Sequence, residues 1–174
     1  MGTKKEKKEK TNLYAFIQPQ AEAALRMAKT ARFDEGGIAN MLGAFACELF
    51  LKIILDSDES DMTEGHDLKV LFGKVCEKFP IAKEQILSIY EERKGPNYLI
   101  LRSNITMVCS RIPEWITARQ EFEIKLDRDR LVFINLRYFY EKPGILRFDD
   151  FVIEFAEVLK EFIYSNPNEY KLLW

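Results

Sequence analysis

The sequence predicts an all-α protein, a single antiparallel bundle of five or more helices over residues 13–174 behind a charged tail at 1–12. Three observations lead there. Apolar residues recur at helical spacing in four segments, a fifth segment is apolar almost all round, and glycine or proline punctuates the joins between them. No internal repeat and no Ser/Gly-rich linker divides the chain, so no second domain is expected.

Taken in order, Lys4-Lys5-Glu6-Lys7-Lys8-Glu9-Lys10 is a mixed-sign run without the apolar core of a secretory signal. It reads as a solvated tail, with a nucleic-acid-binding arm as the alternative. Ala21 to Ala31 is a good helix former, closed by Phe33-Asp34-Glu35-Gly36-Gly37, whose two glycines are too few for a phosphate loop. Gly37 to Leu55 approaches the ~20 residues of a membrane span, but Asn40, Glu48 and Lys52 would be costly in hydrocarbon, so a buried helix of a soluble protein is expected. Leu68, Leu71, Phe72, Val75, Cys76 and Phe79 form an amphipathic stripe. Pro80 opens the next helix, Ile81 to Glu92, which Gly95-Pro96 stops.

From Asn97 to Lys142 the pattern is less distinct. Leu99, Leu101, Ile105, Met107 and Cys109 partly alternate, yet a helical face through Leu101, Ile105, Val108 and Ile112 fits almost as well, and the all-α context favours helix. Trp115 to Ile124 reads as a further helix, followed by a charged connection, Lys125 to Arg130, and Trp115 and Trp174 read as packing residues. The last helix carries Phe151, Phe155, Val158, Leu159, Phe162 and Ile163 on one face, with Asp149 and Asp150 at its positive N-terminus and Asn166-Pro167 beyond its end.

Composition narrows function more by exclusion. Hydrophobic residues make up 47% and the formal net charge is −2, so no basic field holds nucleic acid non-specifically. Cys47, Cys76 and Cys109 lie far apart without metal or redox spacing, which fits a reducing, cytoplasmic setting. There is no nucleophile elbow, zinc-protease pair or glycine-rich phosphate loop, and one histidine with scattered carboxylates makes no metal site. No cofactor is expected.

The polar anomalies remain. Asn40, Ala44, Glu48 and Lys52 form one line along the apolar helix, which must face solvent, a groove or a partner. Exposed, the Glu48–Lys52 pair would contribute ~0.3–0.5 kcal/mol; in a central helix it needs further partners, and His66 and Arg137 are the leading candidates. His66, the chain's single histidine, is either structural, bonded to Glu48 or a backbone carbonyl, or an acid/base or phosphate-contacting group. Arg137 with Tyr138 and Tyr140 either stacks on bases and binds phosphate, or the tyrosines pack on the bundle while Arg137 pairs with an acid.

Glu48-Leu49-Phe50-Leu51-Lys52, then Gly65-His66-Asp67-Leu68-x-x-Leu71-Phe72, then Phe133-x-x-x-Arg137-Tyr138-x-Tyr140-Glu141 resemble in order and spacing the HEPN domain, the "higher eukaryotes and prokaryotes nucleotide-binding" superfamily. The resemblance runs from about Ala21 to Phe162. It implies a bundle of four or five helices, frequent homodimers, and roles in toxin–antitoxin, phage-defence and RNA-processing systems. Many such domains are metal-independent ribonucleases built on an arginine followed by four to six residues and a histidine. Here no arginine stands from Glu59 to Met62, ahead of the sole histidine, so that motif is absent. The expectation is a non-catalytic or degenerate binding domain for RNA, a nucleotide or a partner protein, with Glu48, Lys52, His66, Asp67, Arg137, Tyr138 and Tyr140 at its site. The alternatives are a ribonuclease with a rearranged His66/Arg137 site and a structural dimeric subunit without a ligand.

Overall fold

A computed structural model describes residues 13–31, 36–56, 65–106, 113–137 and 149–167. The described chain is all-α in character. Its elements are α1 (Leu13–Ala31), α2 (Gly36–Asp56), α3 (Leu68–Lys78), α4 (Pro80–Lys94), β1 (Ile100–Leu101), α5 (Ser103–Thr106), β2 (Trp115–Ile116), α6 (Ala118–Asp129), α7 (Val132–Arg137) and α8 (Phe151–Ser165). The expected tail at 1–12 lies outside the described residues, as do Met107 to Ile112 and Trp174.

Helix α2 is the centre. Ala39, Ala44, Ala46, Cys47, Phe50, Leu51, Ile53 and Ile54 are all buried, which leaves α2 with almost no free face. It packs against α1, α8, α3 and α7. By length and composition it could cross a membrane, but 72% of its apolar window is buried within the protein. Gly43 sets how closely α8 approaches: a Cβ there would meet Ile153 Cγ1 at 2.9 Å and the Ile153 backbone nitrogen at 3.2 Å.

Opposite this contact, Phe122 of α6 gathers the rings of three other helices. Its centroid lies 5.0 Å from Phe155, 5.1 Å from Tyr90, 5.4 Å from Phe72 and 5.5 Å from Phe151, mostly edge to face, the geometry favoured by aromatic quadrupoles. α3, α4, α6 and α8 therefore meet at one fully buried ring.

Several elements differ from the sequence expectation. α1 begins at Leu13, before Ala21, and runs through Pro19; the ring sits in the second turn at an exposed position, where it removes one main-chain bond without displacing a packed neighbour. Trp115-Ile116 is not helical: it pairs antiparallel with β1, Ile100 opposite Ile116 and Leu101 opposite Trp115. A strand is thus present at Ile100-Leu101, where both residues are half-buried, and only its partner Trp115-Ile116 alternates. That alternation buries Ile116 and leaves Trp115 59% exposed, so Trp115 is not a packing residue. Of the helix favoured across 101–112, the described residues show only the short α5.

The last of these helices starts two residues after the strand because Thr117 and Gln120 form a capping box: the Gln120 amide bonds the Thr117 hydroxyl while the Thr117 amide bonds Gln120 Oε1 at 3.0 Å. α6 then continues through most of the supposed connection, Lys125 to Arg130, because Leu126 is buried and its charged neighbours find partners inside the fold.

Two substitutions test this packing by urea unfolding. Phe122→Ala is expected to cost roughly 3–5 kcal/mol through the cavity it leaves. Gly43→Ala, a mild change in most helices, is expected to cost about 1–3 kcal/mol because Ile153 must move. Changes under about 0.5 kcal/mol at both would mean that α8 does not seat on α2 or α6 as described.

Candidate functional site

The polar line on α2, expected to face solvent, a groove or a partner, is turned into the fold. Asn40 is 5% exposed and Glu48 3% on a helix packed by α1, α3, α7 and α8. A carboxylate taken that far out of water must be paired. Glu48 spends both oxygens: Lys52 donates to Oε1 at 2.7 Å, one turn along α2, and His66 Nδ1 stands 2.8 Å from Oε2. The Lys52 side chain itself is a quarter exposed.

His66 reaches Glu48 from the turn ahead of α3. Gly65 holds φ at 122°, a conformation that L side chains rarely adopt, so the turn that aims His66 at α2 depends on glycine at this position. Phe133 of α7 stands 5.4 Å from the imidazole and stacks on Phe45 of α2 at 5.5 Å. The ring is fixed at Nδ1 and along its flank while the rest is open, its side chain 46% exposed. In the neutral ring, donation from Nδ1 to the carboxylate leaves Nε2 with a lone pair toward solvent, the arrangement in which an imidazole accepts a proton or a hydrogen bond.

Asp67 has a different task. It is the N-cap of α3, where Oδ1 accepts from the amides of Lys69 at 3.0 Å and Val70 at 3.2 Å, while Oδ2 meets Arg130 at 2.9 Å. The Leu68 amide also donates to the Arg130 carbonyl at 3.0 Å, tying the start of α3 to the corner between α6 and α7. Arg137 is the final residue of α7, one turn beyond Phe133. Its side chain, with Tyr138 and Tyr140, lies outside the described residues. The fold thus brings Glu48, Lys52 and His66 together and commits Asp67 to capping.

Sequence reasoning missed a second polar centre. Glu121 of α6 is 1% exposed and is held by Lys125 at 2.8 Å and the Tyr90 hydroxyl at 3.3 Å, with Lys94 at 3.9 Å. Burial, reinforced by the carboxylates of Glu154 and Glu121, pushes the Tyr90 hydroxyl well above its usual range, and burial with Glu121 does the same at Tyr98. Both phenols stay protonated. Lys125 and Arg128 go on to Asp149 at 3.4 and 2.8 Å, and Arg128 also grips Asp129. Burial raises the Asp129 carboxyl despite Arg128. Burial also works against the Asp149 charge, but Lys125, the Phe151 amide and Arg128 together hold that carboxyl below its usual range.

The missed signal was spacing. Glu121, Lys125 and Asp129 recur every four residues beside the apolar Ala118, Phe122 and Leu126, so they sit at the edge of a buried stripe. Among the described residues no three His, Cys, Asp or Glu side chains gather to hold a metal ion.

No protein-family model, no curated protein and no solved structure matches this chain.

Truncation separates the two centres. His66→Ala leaves Glu48 with Lys52 as its remaining partner and is expected to cost about 1–3 kcal/mol. Glu121→Ala takes the acceptor from the Tyr90 and Tyr98 hydroxyls and leaves Lys125 with only Asp149 at 3.4 Å, and is expected to cost roughly 3–5 kcal/mol. Equal, negligible losses in thermal or urea unfolding would contradict both assignments.

Proposed function

We propose that the chain is a HEPN-like domain, an antiparallel bundle that works as a homodimer and binds RNA, a nucleotide or a partner protein in a toxin–antitoxin or phage-defence setting. The observation that carries this reading is convergence: parts of the three segments on which the resemblance rests meet at one place, Glu48 from α2, His66 ahead of α3, and Phe133 from α7. Binding is favoured over catalysis by what the polar groups are already doing. Glu48 spends one oxygen on Lys52 in its own helix and the other on His66, and the arginine of the family's ribonuclease motif has no counterpart before His66.

A metal-independent ribonuclease built on His66 and Arg137 is the second reading, and one feature favours it. Nδ1 is oriented by a buried carboxylate while the opposite edge of the ring is open, as an imidazole base requires.

Incubation with total RNA and with a labelled oligonucleotide separates the readings. The binding domain should raise the anisotropy of the label and leave total RNA intact. Cleavage by the wild type that is lost in His66→Ala at unchanged melting temperature would establish the ribonuclease instead. Neither binding nor cleavage, with sedimentation at twice the 20.4 kDa chain mass, would leave a structural subunit. A monomer at micromolar concentration would contradict the dimer.

A further inference from the structure

The β1–β2 ribbon turns one side to the fold and the other outward. Ile116, opposite Ile100, is 2% exposed and marks the inner side. Side chains alternate along a strand, so Leu101 and its partner Trp115 stand on the outer side, and the register carried one pair further puts Leu99 and Thr117 there too. Trp115 is 59% exposed and Leu99 55%. None of these four outer residues is charged. An indole held in water on an uncharged face is what a contact surface presents, since aromatic side chains are enriched in interfaces and charged ones depleted at their cores.

Leu99 and Thr117 also form one wall of a cleft of about 680 Å³ between the end of α4 and the start of α6, whose other walls include Pro96, Tyr98 and Ala118. The cleft has more room than one indole needs. Trp115 of the same chain stands outside it, diagonal to Leu99 across the ribbon and about 7–8 Å away by strand geometry. One face therefore bears a projecting ring and, beside it, a hollow with apolar and aromatic walls. A two-fold axis between the two features brings each onto the other, so two copies of the chain satisfy both at once. A different partner would need its own ring and hollow at the same spacing. An indole N–H taken out of water also needs an acceptor, and the rim of the cleft supplies oxygens at Glu92 and Asn97.

We propose that the outer face of the β1–β2 ribbon is a self-complementary dimer surface, on which Trp115 of each copy enters the cleft beside Leu99 of the other. The choice of a second copy rests on the homodimer reading above. The surface itself is built from elements other than those of the His66 corner.

Sedimentation of the full chain across the micromolar range tests this with three variants, each changed at a side chain more than half exposed so that the fold is kept. The wild type should pass from one chain mass to two. Trp115→Ala removes both rings from the dimer and should weaken association about thirtyfold or more, as a central tryptophan does. Leu99→Lys puts an ammonium group at the mouth of the hollow and should weaken it about tenfold or more. Ile81→Ser should leave it unchanged; Ile81 is 76% exposed but lies about 20 Å from Lys94 along α4 at 1.5 Å per residue, so the comparison removes general stickiness. Trp115→Ala keeps a hollow without a ring and Leu99→Lys a ring without an open hollow. An equimolar mixture of the two retains one of the two insertions and should associate more tightly than either variant alone. Wild-type affinity in both Trp115→Ala and Leu99→Lys would overturn this surface and leave the homodimer standing, as would a mixture no tighter than its components. A wild type that stays monomeric throughout would end both.

Discussion

The structure depends on one constraint, the satisfaction of a carboxylate inside its most buried helix. α2 is apolar on nearly every side and gives the fold its centre, yet it carries Glu48 at 3% exposure. Lys52 meets one oxygen from within the helix, but the other needs a group from elsewhere, and His66 supplies it from the turn ahead of α3. Position follows from that need. Gly65 lets the chain turn toward α2, Asp67 caps α3, and Arg130 binds Asp67 so that α7 begins beside the same corner. Phe133 then closes over the imidazole. A hydrogen bond that needs an outside partner thus determines where three elements meet, which the non-directional hydrophobic effect would not do alone.

Glu121 repeats the problem with a different solution. There the acceptor sits behind the aromatic cluster around Phe122, and its partners come from α4, from Tyr98 just beyond it and from α6 itself. Two phenols kept protonated by burial and a lysine one turn away hold it. The contrast sets the His66 corner apart, since there one member of the network is half exposed. A buried network whose members are all satisfied fixes packing; one with an open nitrogen can also meet a ligand.

Much of this was legible in the sequence, and what was not had physical causes. The all-α character, α2 as the central helix and the spans of α3, α4 and α8 follow from helical periodicity and from proline and glycine at the joins. The Glu48–Lys52 pair was visible as a four-residue spacing, and His66 was the natural partner because the chain has no other histidine. The line through Asn40 and Glu48 was left open between solvent, a groove and a partner, and it is buried, because no periodicity on α2 shows which elements will cover it. The β1–β2 pair was obscured because two residues per strand give alternation no length to emerge. α6 was misplaced because the capping box at Thr117 and Gln120 outweighs the apolar Trp115-Ile116 that precedes it, and because a charged run such as Lys125 to Asp129 looks solvent-exposed until its partners are known.

The central claim is that Glu48 holds His66 by Nδ1 in one orientation. The chain's single histidine makes this directly measurable, since a long-range proton–nitrogen correlation spectrum of the uniformly labelled protein contains one imidazole. At a pH where the ring is neutral, the account predicts the Nδ1–H tautomer, with an Nδ1 proton slow enough in exchange to be seen and Nε2 with the shift of an unprotonated nitrogen. An Nε2–H tautomer, or two averaged nitrogen shifts unchanged by Glu48→Gln in a protein that remains folded, would contradict it.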